Sequence, residues 1–166
     1  TWVSHLPSGP DTLSRGVQLA GASATLDRVV FRSNPSHRPD EHAGAALQRW
    51  EEGKGVSIIS RLPNGGFAAN PRIAANYYQR SGLTPLRTAG VAVPHRGAHA
   101  VSDDASRIYF YDSAAGAGPL YLYDEGQTVL VSHAPGDPTA ARNARFIGAS
   151  HDGSIAYLAS TEQLTS

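Results

Sequence analysis

Histidine is the side chain best suited to acid–base or metal chemistry here, and the chain of 166 residues carries seven. His5, His37, His42, His95, His99 and His133 lie in or beside long Gly-, Pro- and Ser-rich links, while His151 falls in a short turn, His151-Asp-Gly-Ser154. A metal centre needs several donors converging on one point, and the forms readable in sequence are His-x-His or His-Glu-x-x-His on one element. Neither occurs. His5 and His133 hold the same place after a Ser-ended strand, where a third copy has Arg61, which favours a structural job. Asp103 and Asp104 pair two carboxylates, but no Asp-x-Asp-x-Asp-Gly calcium loop surrounds them, so a solvated turn is the simpler reading. No Gly-x-Ser-x-Gly elbow offers a hydrolase nucleophile. Without cysteine, thiolate chemistry, disulfides and Cys-ligated zinc are excluded. The expectation is no catalytic residue, no metal and no cofactor.

Binding residues are a different matter. Tyr77 and Tyr78, with Arg72, Arg80 and Arg87 near by, make an aromatic and Arg-bearing patch in a stretch that nothing else in the chain requires. Such residues are enriched at protein contacts and also stack on sugars. His95, Arg96 and His99 follow and would suit an acidic sugar. These eight residues form the candidate binding set.

The elements that must position them recur. Ser102-Asp-Asp-Ala-Ser-Arg-Ile-Tyr-Phe110 is matched by Ser23 to Phe31 and by Ser150 to Tyr157: a small-residue strand, a polar turn, then a β-branched or aromatic strand. Leu47-Gln-Arg-Trp-Glu-Glu-Gly53 is matched by Leu120-Tyr-Leu-Tyr-Asp-Glu-Gly126, alternating residues running into a tight turn. Ile59-Ser-Arg-Leu-Pro63 and Val131-Ser-His-Ala-Pro135 end a strand at Ser before a proline that cannot join a ladder. The unit is therefore four strands, A to D. Expected positions are A 17–22, B 28–33, C 46–51 and D 56–60, then A 97–102, B 107–112, C 119–124 and D 128–132. A lone D precedes them at 1–5, and an A–B pair follows at 145–150 and 154–159. Phe31, Phe110 and Tyr157 are expected to share one core position, as are Trp50 and Tyr123. An insertion over about 66–96 is expected between units, with Asn70-Pro71, Ile73, Tyr77 and Gly82 reading as a short helix.

This cadence resembles the TolB-like (WD-repeat-like) family of β-propellers, carried here by Ser102 to Phe110, Ser150 to Tyr157, Leu120 to Asp124 and Val129 to Ser132. Ser23 to Phe31 departs from it, because Asp27 comes late and the turn glycine is missing. The resemblance implies an all-β fold of four-stranded antiparallel blades in one domain over 1–166, and an extracellular or periplasmic setting. It implies a protein-interaction or scaffold module rather than an enzyme, with a carbohydrate-binding or carbohydrate-active propeller as the alternative. Closed propellers have about four to eight blades. Two full units and two partial ones are too few, so the expectation is part of a longer chain or a ring completed by self-association.

Bulk composition agrees with these exclusions. Basic and acidic residues number 14 each, and a neutral chain has no overall attraction to nucleic acid. Seventeen glycines and eleven prolines favour turns over long helices, and no apolar run reaches the length of a membrane span.

Overall fold

The computed structural model describes residues 17–34, 36, 41–74, 99–113 and 118–164. Among them every regular element is a strand. Twelve are present: β1 (Gln18–Ala22), β2 (Arg28–Ser33), β3 (Ala46–Glu51), β4 (Gly55–Ile58), β5 (Pro71–Ile73), β6 (Arg107–Asp112), β7 (Leu120–Asp124), β8 (Gln127–Leu130), β9 (His133–Ala134), β10 (Asp137–Ala141), β11 (Arg145–Ala149) and β12 (Ala156–Ala159). They form two four-stranded antiparallel sheets, β1-β2-β3-β4 and β5-β6-β7-β8, and two hairpins, β9–β10 and β11–β12. No helix is long and apolar enough to cross a membrane among these residues.

The repeat seen in the sequence is a repeat of hydrogen bonds. Each strand B starts at or just after an amide that meets a serine hydroxyl: the backbone N of Arg28, Arg107 and Ile155 donates to Ser23, Ser102 and Ser150 Oγ respectively, each at 3.0 Å. The third residue after each serine is left-handed, with φ of 60° at Leu26, 52° at Ala105 and 68° at Gly153. Only Gly153 adopts it without a steric penalty. The C–D turn of the second sheet, Glu125-Gly126, also has both φ positive (42° and 101°), as a two-residue hairpin loop needs to match strand twist. Strand D ends on a buried serine that reaches back to strand C, where Leu47 N donates to Ser60 Oγ (3.1 Å) and Leu120 N to Ser132 Oγ (2.8 Å).

Large apolar side chains from successive sheets meet in one core, including Val30, Leu47, Ile59, Ile73, Ile108, Phe110, Leu120 and Phe146. Burying each contributes about 1.5–3 kcal/mol. Adjacent sheets also share hydrogen bonds at repeated places. Ala24 N donates to Asp103 O (3.0 Å), and Asp103 N donates to His151 O (2.9 Å), so each A–B turn is tied to the next. Arg28 Nη1 donates to Asp104 O (3.3 Å), and Arg107 Nη1 to Asp152 O (3.1 Å). The third turn carbonyl accepts as well: Ala105 O from Arg49 (3.2 Å) and Gly153 O from Tyr109 Oη (2.8 Å). The sheets approach so closely that a Cβ on Gly21 would lie 2.9 Å from Val101 Cγ2.

Three expectations need correction. Tyr157 does not share the register of Phe31 and Phe110; Leu158 does, opposite Phe146 as they are opposite Leu19 and Ile73. Tyr157 and Leu158 are adjacent large side chains, and matching by aromatic character aligned Tyr157 with the phenylalanines, one residue out of register, a slip that exchanges the two faces. Past the D strand expected at 128–132, where a long proline-containing link was expected, residues 133–141 form the hairpin β9–β10, with Pro135-Gly136 at its turn. Asn70-Pro71 opens a strand rather than capping a helix, and the rest of the proposed helix, including Tyr77 and Gly82, lies outside the described residues. The D strand placed at 1–5 lies outside them too.

Candidate functional site

The insertion interrupts a strand, not a link between sheets. In the first sheet β1 pairs through Leu19↔Phe31, skips Ala20, and resumes at Gly21↔Val30. Strand β11 does the same, with Phe146↔Leu158, Ile147 skipped and Gly148↔Tyr157. Both are β-bulges at one register. In the second sheet Ile73 pairs with Phe110, and the next rung is taken up by Ala100, whose carbonyl accepts from Tyr109 N at 2.7 Å. Val101 then bridges Ile108. Residues 74–99 therefore stand where the sister strands have one bulged residue. A bulge already breaks the ladder, so extra chain there costs no further rung. The boundary of 66–96 expected from sequence moves accordingly: 67–74 belong to the frame, and strand A of this sheet comes half from β5 and half from residues 100–102.

The frame returns from the insertion at His99, itself left-handed with φ of 44°. Three residues on, the chain enters the turn Ser102-Asp103-Asp104. The adjacent carboxylates point to different jobs. Asp104 holds its own turn, accepting from Ser102 Oγ (2.7 Å), Ser106 N (3.0 Å) and Ser106 Oγ (2.8 Å). Partial burial pushes its pKa up, but those hydrogen bonds outweigh it and bring the carboxyl down to about 2. Asp152 has the same geometry, and bonds from Ser150 and Ser154 lower it to about 2. In the first sheet Asp27 does this work from the far side of its turn, lowered by bonds from Ser23 and Thr25, which explains the late aspartate.

Asp103 instead faces two histidines. His151 Nδ1 lies 3.1 Å from Asp103 Oδ2, and His99 Nδ1 lies 3.6 Å from Asp103 Oδ1. The two imidazole centroids are 4.1 Å apart at 46°. One donor atom from each of the three lies within 4.8 Å of the others. Asp103 and His151 have their relative backbone positions fixed by the turn-to-turn bond described above, so the cluster spans the junction of two sheets.

Of the eight binding residues expected from sequence, Tyr77, Tyr78, Arg80, Arg87, His95 and Arg96 lie outside the described residues. His99 is at the cluster. Arg72 sits on β5 opposite Tyr111, its Nε buried without a hydrogen bond, as part of the frame on the other side of the interruption. The remaining described histidines do local work. His42 stacks on Phe67 (4.6 Å) and His133 Nδ1 contacts Ala134 O (2.9 Å).

Sequence spacing did not join His99, Asp103 and His151, because His151 arrives from another sheet. A signal was nonetheless present: Ala24, Asp103 and His151 each follow the turn serine directly, so they occupy equal repeat positions. Comparison with protein-family models, curated proteins and solved structures returns no match.

Proposed function

We propose that this chain is a non-catalytic interaction module whose successive sheets act as blades of a TolB-like propeller and present residues 75–98 to a protein partner. One observation carries the reading. A long segment replaces a single bulged residue, and the ladder on either side keeps the register of its sister strands. A rigid frame that keeps its ladder in register on both sides of one long segment is the usual support for a recognition segment. The test joins Ala74 directly to Ala100, recreating the Leu19-Ala20-Gly21 pattern. The expected result is a folded chain, judged by circular dichroism, that no longer retains partners captured by the full chain and identified by cross-linking mass spectrometry. Retention of the same partners would sink it.

The end faces support a second copy as a further partner. Tyr157 is 66% exposed, whereas Tyr109 at the same register is 3% exposed because the next hairpin covers it. Ile155 and Ile147 lie exposed beside it, and on the first described sheet Leu26 and Leu19 are exposed where Ala105 and Ile73 are buried. These are the two kinds of face that already dock within the chain, so copies stack head to tail. Sedimentation velocity should show association that either Tyr157→Asp or Leu26→Asp abolishes, with an equal mixture of the two variants restoring only a dimer. A wild-type chain that stays monomeric at every concentration refutes this stacking.

A further inference from the structure

We propose that His99, Asp103 and His151 bind a divalent transition-metal ion of the zinc, cobalt or nickel type, which ties the end of the inserted segment to the neighbouring sheet. Two imidazoles and a carboxylate form a donor set suited to these ions rather than to magnesium or calcium, which favour all-oxygen shells. The spacing fits. Bonds of about 2.0–2.2 Å in a tetrahedron place donor atoms about 3.3–3.6 Å apart. His151 Nδ1 lies 3.1 Å from Asp103 Oδ2 and His99 Nδ1 lies 3.6 Å from Asp103 Oδ1, and the three donors lie within 4.8 Å of one another, so a small side-chain rotation closes the set on one ion. With Nδ1 toward the metal, each neutral ring keeps its Nε2–H for solvent. Water completes the shell, since Asp103 and His151 are exposed and His99 is half-buried.

The protein supplies preorganisation. Asp103 N donates to His151 O, so two of the three ligands ride on turns already bonded to each other. His99 is the first described residue after residues 75–98 and lies four residues before Asp103 in the chain. A bound ion thus fixes the root of that segment against the β11–β12 hairpin. This is independent of what the segment recognises.

The experiment uses the full chain without an affinity tag, titrated with Co²⁺ and then Zn²⁺. One equivalent of Co²⁺ should give the visible ligand-field bands of a low-coordinate site, and Zn²⁺ should displace it and raise the melting temperature. Losing even an outer-sphere partner costs a metal site about 10–100-fold in affinity, so His99→Ala, Asp103→Ala and His151→Ala should each weaken binding by at least that much. His42→Ala and His133→Ala should leave it unchanged. Asp103 and His151 lie on exposed turns and His99 is half-buried, and circular dichroism should show that each variant keeps the fold. No stoichiometric binding, or binding equally strong in the triple variant, overturns the proposal.

Discussion

Leu19 and Ile73 occupy one register on two edge strands, and they have opposite fates. Each pairs across to a buried phenylalanine just before its ladder breaks, Leu19 with Phe31 and Ile73 with Phe110. Leu19 is 67% exposed and Ile73 9%. The difference comes from position in the series. The second sheet has a sheet on either side of it, whereas β1 has no described unit before it. A repeated sequence therefore gives repeated hydrogen bonds but unequal burial, because burial depends on neighbours.

Mutating the pair separates the two contributions. Ile73→Ala should destabilise by about 2–5 kcal/mol, as expected of a buried aliphatic, while Leu19→Ala should cost under about 0.5 kcal/mol. Urea unfolding of both variants checks this. Equal losses would mean that Leu19 is covered in solution, as head-to-tail stacking predicts at high concentration, so the measurement belongs at low concentration first.

The interruption itself should weigh less. Closing a loop the length of residues 74–99 costs up to about 3 kcal/mol of chain entropy, and the chain with Ala74 joined to Ala100 recovers part of it. Its unfolding midpoint should match or exceed that of the full chain. A clear loss would show that residues 75–99 contribute packing, and the bulge equivalence would then be incomplete.

Acid gives the smallest effect and tests likeness instead of difference. Asp104 and Asp152 sit near 2 in the folded chain against about 3.9 unfolded, and Asp27 is lowered too. Depressed carboxylates contribute stability above about pH 4 that is lost as pH falls toward about 2. Unfolding measured from pH 6 down to 2 should show that loss, and Asp104→Asn should reduce its slope. An unchanged slope would mean that the Ser102–Asp104 contact does not persist in solution.

Much of the frame was readable from the residues. Strands 28–33 and 46–51 were placed to the residue, because alternation, the turn serines and the Asp-Glu-Gly or Glu-Glu-Gly stops are local signals. Strand β5 was missed. Asn70-Pro71 carries the same local signature at a helix start as at the first residue of an edge strand, and only the free edge of β6 selects the second. The slip at Tyr157 has a similar origin.

By itself, the sequence determined the repeat: which residues turn, which alternate, and which serines stop a strand, all fixed by interactions within a few positions. The tertiary structure alone decided that a long segment replaces one bulged residue, and that His99, Asp103 and His151 meet. Both depend on which rung of a neighbouring strand is left to fill and which turn of the next sheet lies alongside. Such contacts join residues far apart in the chain, and short-range pattern carries no record of them.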